Sequence, residues 1–85
     1  MNIKSAAVLK EHLVKDAITI LYSTKEDYVE ATLINKLGEV VANKKLSPAL
    51  ERHTFDVSDL ACGEYFVRVT GGKKELLKEK IVVLR

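Results

Sequence analysis

The side chains able to do chemistry are few and scattered. His12 and His53 are the only imidazoles and Cys62 is the only thiol. A metal site needs several His, Cys or carboxylate ligands converging at motif spacing. The chain has no second Cys, no His pair at helical spacing and no calcium-type Asp loop, so no metal ligand is expected. His53 falls in an alternating run, which suits a sheet surface or core edge. A reactive pair between Cys62 and a histidine would need something to lower the thiol pKa, such as a helix N-terminus. A strand pattern follows Cys62 instead, and the residue reads as a partly buried, small apolar filler of a turn. Ser58–Asp59 suit a turn in which both side chains bond nearby backbone, and no nucleophile elbow accompanies them. Gly71–Gly72 lead into no helix and so cradle no phosphate. Asp16, Asp27 and Glu30 are the acidic residues of wet hairpin ends. No catalytic residue and no cofactor is expected.

The bulk numbers agree with that reading. At 85 residues, residues 1–85 make a single domain. A domain of this size buries only about 60–65% of the surface of its unfolded chain. That leaves one thin core and little room for an enclosed active site. An apolar fraction of 47% and a charged fraction of 31% describe a globular chain. The net charge of +2 is too small to imply nucleic acid as a partner. The lysines also alternate with glutamates, as in Lys78–Glu79–Lys80, which describes a solvated surface of mixed sign. A lone Cys forms no internal disulfide. Lys4 and Lys10 bracket only five apolar or small residues, too few for the core of a signal peptide. No run approaches the roughly 18 apolar residues of a membrane span. The chain is expected to be either a small cytoplasmic protein or a domain of a longer, exported parent.

Any binding function must therefore rest on the elements, and their dominant period is two. Ala17–Tyr22 sets Ile18, Ile20 and Tyr22 on one face. Tyr28–Ile34 sets Val29, Ala31 and Leu33 against Glu30, Thr32 and Ile34. Glu39–Leu46 turns polar at its far end, as an edge strand does. Arg52–Val57 aligns His53, Phe55 and Val57. Glu64–Thr70 turns Tyr65, Val67 and Val69 inward and Arg68 outward. Glu75–Leu84 has apolar ends around a charged middle and reads as a pair of strands. β-branched and aromatic residues concentrate in these runs. Ser5–Val14 fits a short helix, with Ala6, Leu9 and Leu13 on one side, or a first strand followed by a loop. The strand completes the all-β set.

The separators suit hairpins. They are the polar "STKED" segment, the Asn35–Gly38 turn, the Pro48 stop and the Gly71–Gly72 pair. Six or seven short strands punctuated in this way describe a β-sandwich. The stretch "DLACGEYFVRV", Asp59–Val69, reads as its corner. Leu60 plugs the core and Gly63 permits a close approach. Tyr65 returns its hydroxyl to backbone a few residues upstream. Phe66 faces the other way, towards a partner or a covering side chain.

On these residues the chain resembles the C-terminal sorting domains of bacterial type IX secretion substrates. These are small immunoglobulin-like sandwiches at the ends of Bacteroidetes surface and secreted proteins. Phe55, Asp56, Val57, Ser58 and Leu60 follow the family's "DVS-x-L" turn. Gly63, Tyr65, Val67 and Val69 follow its Gly-x-Tyr strand, and Gly72, Lys80, Ile81 and Val82 its last turn and strand. Asn35, Gly38, Glu39 and Val41 fit its middle hairpin. Lys15, Asp16, Thr19 and Ile20 fit its early strand. His12 and Leu13 stand where the family usually carries Asn-Pro.

The resemblance covers Val14 to Arg85. It implies an immunoglobulin-like Greek-key sandwich of about seven antiparallel strands. It implies no catalysis, and recognition of the tail by an outer-membrane secretion machine. The parent would be secreted or held at the cell surface. The recognition surface would be the last two strands, Glu64–Thr70 and Glu75–Arg85, with Lys78, Lys80, Ile81, Val82 and Arg85 on the final one. The alternative is a stand-alone sandwich that binds a protein or glycan through loops or an exposed strand edge. An exposed edge also offers a route to a homodimer. No nucleic acid and no membrane insertion are expected.

Overall fold

The computed structural model describes residues 6–24, 28–47, 49 and 51–84. Eight strands follow in chain order: β1 (Ala6–Leu9), β2 (Leu13–Val14), β3 (Ala17–Ser23), β4 (Val29–Asn35), β5 (Val40–Leu46), β6 (Arg52–Asp56), β7 (Gly63–Gly71) and β8 (Lys74–Val83). They form a three-stranded sheet, β1-β3-β6, and a five-stranded sheet, β2-β8-β7-β4-β5. The chain changes sheet between β1 and β2, β2 and β3, β3 and β4, β5 and β6, and β6 and β7. Among the described residues, only β4–β5 and β7–β8 are hairpins between neighbours in one sheet. The result is the all-β sandwich that the period-two pattern and the turn signals predict, consistent with the immunoglobulin-like form that the resemblance implies.

The alternation along each strand builds the core. Ile18, Ile20 and Tyr22 of β3 are buried, as are Val29, Ala31 and Leu33 of β4 and Tyr65, Val67 and Val69 of β7. Phe55 and Val57 close the layer from the three-stranded sheet, and Leu77, Ile81 and Val83 from β8. Each fully buried aliphatic side chain contributes about 1.5–3 kcal/mol. The inward-facing positions thus dominate the stability of so small a chain.

Of the two readings of the N-terminal segment, the strand is the one formed, as β1, and the helix is not formed among the described residues. Other details differ from the sequence reading. Residues 6–14 instead supply two short strands, which raises the count to eight. β1 pairs antiparallel with β3, and β2 runs parallel to β8, so one pair is not antiparallel. The chain leaves the first sheet at Lys10, whose N–H donates to Thr19 O at 3.1 Å. The Glu11 carboxylate then accepts the Thr19 N–H at 2.6 Å, so a side chain takes over where the strand departs. A helix over these residues would leave that edge of β3 and the end of β8 unpaired. Lys74–Val83 is one continuous strand rather than two, because its charged middle faces solvent and stays paired with β7. The last hairpin turns on Gly72–Lys73, one residue later than the glycine pair suggests. Gly71 closes β7, and a Cβ there would meet Leu76 Cδ1 at 3.0 Å.

Candidate functional site

The residues singled out for chemistry do not meet. His12 Nε2 contacts Glu79 Oε2 at the side of the sandwich. His53 sits edge-on to Phe55, with ring centroids 5.8 Å apart. Burial, and then the charge of Lys44, hold its pKa below the usual histidine value. Cys62 is exposed, where partial burial was expected. Leu60 is the residue of that turn that packs against the core, which leaves Cys62 facing out. Asp56 Oδ1 accepts the Ser58 N–H at 2.8 Å, a local turn bond. Asp16 precedes β3, whereas Glu30 lies on the solvent side of β4 in the other sheet and accepts the Tyr28 hydroxyl. Asp27 lies outside the described residues. No group of three or more His, Cys, Asp or Glu is placed to hold a metal among the described residues. No helix among them is long and apolar enough to cross a membrane. An open hollow of ≈ 290 Å³ is lined mainly by Ala6, Ala7, Val8 and Leu21 and brings no acid–base pair together.

At the corner, the Tyr65 hydroxyl donates to Ala61 O at 2.7 Å, and its ring is buried. Gly63 has φ of 142°, yet a Cβ there would meet nothing within 4 Å. Its requirement is the backbone conformation, not the close approach expected of it. Tyr22 makes the same kind of bond across a longer stretch of chain, donating to Ser47 O at 2.6 Å. Burial, and then the charge of Glu51, raise its pKa.

The last strand is an edge for most of its length. Val82 N–H donates to His12 O at 2.8 Å and Leu84 N–H to Val14 O at 2.7 Å. The register with β7 is unbroken from Leu77 to Val83, so the backbone groups of Lys78 and Lys80 point the same way as those of Val82. β2 pairs only with Val82 and Val83. Among the described residues, no strand is therefore paired with Lys78 and Lys80 on this side, although β1 of the other sheet lies close to β8. Their side chains are exposed on the outer face of the sheet, whereas Ile81 is in the core and Val82 is half-buried. Arg85 lies outside the described residues. Lys80 Nζ stands 3.1 Å from Glu64 Oε1, and Lys36 Nζ 3.7 Å from its other oxygen. The hydrogen bond and charge of Lys80, with the charge of Lys36, hold Glu64 below the usual carboxylate range.

The pairings show a surface that the sequence reading missed. Val40 pairs with Ile34, Ile34 with Phe66, and Phe66 with Lys80. These four residues form one row across the outside of the five-stranded sheet. The signal for it is three separate alternation breaks, each an apolar residue on a polar face.

A model of the secretion system C-terminal sorting domain matches residues 14–84. The chain belongs to this family. The sorting domain thus spans β2 to β8, and the match begins at the strand that pairs with β8. His12 and Leu13 precede the matched segment. His12 nevertheless supplies both the carbonyl that receives the Val82 N–H and the contact with Glu79. No match was found among the curated proteins.

Proposed function

We propose that this chain is the non-catalytic C-terminal sorting module of a secreted or surface-held protein, read by an outer-membrane secretion machine through its last two strands. The family match over residues 14–84 carries this reading. The open edge of β8 supports the choice of strand. Extended backbone with unused N–H and C=O groups is a template for strand addition by a partner. The Lys78 and Lys80 side chains beside that edge favour an acidic approach and oppose pairing between copies.

The test is export of a reporter. Residues 1–85 are fused to the C-terminus of a periplasmic reporter in a host with a working type IX system. The fused reporter is expected in the medium or on the cell surface. Retention in the periplasm, at the level of an untailed reporter, would sink the sorting role.

A further inference from the structure

The outer row described above is where the molecule spends apolar side chains on water. Val40 is 61% exposed, and Leu37, in the turn beside it, is 83% exposed. Ile34 and Phe66 are only half-covered. With Lys36, Lys78, Asn35 and Gly38 they line a shallow hollow of ≈ 240 Å³. The turn that presents it is stiffened. Asn35 Oδ1 accepts the N–H groups of Leu37 and Glu39 at 2.9 and 3.0 Å, and Asn35 Nδ2 donates to Glu39 Oε1 at 3.0 Å. A floor of paired strands and a bonded turn hold the hollow open before anything binds, which lowers the ordering cost of association.

Lysines outnumber carboxylates around the row. Lys36, Lys78 and Lys80 surround it, against Glu64, which among the described residues is paired with both Lys36 and Lys80, and Glu39 of the turn, which is bonded to Asn35. The next row, Asn43–Thr32–Arg68–Lys78, is polar, and there Arg68 is balanced by Glu75 at 3.5 Å. A central apolar patch inside a rim where lysines outnumber carboxylates is the pattern of an interface core and rim. Its complement is a protein surface that presents apolar side chains among carboxylates. A second copy of this chain fits badly, because a two-fold contact would set the lysine rim against itself.

We infer that the outer face of the five-stranded sheet, centred on Ile34 and Phe66 and rimmed by Lys36, Lys78 and Lys80, docks an acidic, apolar-bearing segment of a protein partner. This rests on the sorting reading for the partner's identity but not for its chemistry. It extends recognition from the last two strands to β4, β5 and their turn.

The probe is a capped peptide, Asp-Leu-Asp-Phe-Asp, titrated into the isotope-labelled 85-residue chain, beside a counterpart with Lys for Asp. Saturable amide shifts at Ile34, Phe66 and Lys78 are expected, with affinity at least about tenfold above that for the basic peptide. Phe66→Ser and the pair Lys36→Glu/Lys78→Glu should each remove that preference. The charge pair lies on exposed positions, so it stays testable even if Phe66→Ser unfolds. Equal affinity for the two peptides, or shifts confined to Val8 and Leu21 on the other sheet, overturns the inference. So does a dimer that Phe66→Ser converts to monomer. In the export assay, the charge pair should lower export about tenfold while Lys73→Glu does not. Normal export of the charge pair overturns the inference and leaves sorting intact. Failure of the unaltered tail, with peptide binding kept, removes the sorting role and leaves the surface.

Discussion

The two faces of the five-stranded sheet are made from the same strands and obey different rules. On the inner face Leu33, Val67, Val69 and Ile81 are fully buried, and their size and apolarity decide whether the chain folds. On the outer face, one residue along each strand, Ile34, Phe66, Lys78 and Lys80 remain wet. An apolar residue on the inner face is explained by folding. Ile34 and Phe66 have no such explanation, and the lysines around them oppose loose self-association. The difference separates residues that make the module from residues available to be read.

The sharpest way to break the comparison is through the inner face. Leu33→Ala should cost about 2–5 kcal/mol in chemical denaturation. That is a large share of the roughly 5–15 kcal/mol typical of a folded domain, and export should fall with stability. Loss of export without loss of stability would show that inner-face residues are read directly. Next in size is the corner. Gly63→Ala forces an L side chain to φ of 142° and should cost about 1–3 kcal/mol, with no steric contribution. Tyr65→Phe removes the bond to Ala61 O and should cost about 1 kcal/mol. An unchanged denaturation midpoint would show that the hydroxyl contributes nothing.

Smaller still is the pH response. The folded pKa of His53 lies below its unfolded value, so the unfolded chain binds the proton more readily. His53 therefore lowers stability as pH falls through the ordinary histidine range, near 6.5. Glu64 also has a lowered folded pKa. Its stabilisation is complete above the ordinary carboxylate value of 4.5 and is lost as pH falls through the lowered folded value. Melting temperature should decline in both windows. His53→Gln should flatten the upper one, and Glu64→Gln the lower one. A lower window unchanged in Glu64→Gln would deny that Lys36 and Lys80 act on this carboxylate.

Much of the inner face was legible in the sequence, because burial on one side of a strand imposes a period of two. The alternations around Ile20, Leu33 and Val67 predict which side chains enter the core. Residues 6–14 were not resolved in the same way. Strands of four and two residues are too short to show a period, and the exchange of sheets depends on the Glu11 carboxylate bonding Thr19, eight positions away. The exposure of Cys62 follows from Leu60 taking the inward place, a choice between two neighbouring apolar residues that only packing decides. The outer row was illegible for a different reason. Val40, Ile34, Phe66 and Lys80 become neighbours only through the registers of three strand pairs, including the bulge at Leu33/Ile34.

The most direct measurement of the sorting role is binding of the purified, labelled chain to outer membranes from a type IX-competent host. Membranes from an isogenic strain without the secretion machinery provide the comparison. Saturable binding to the first and not to the second is the predicted result. Equal binding to both, or to neither, would contradict recognition of this sandwich by the machinery.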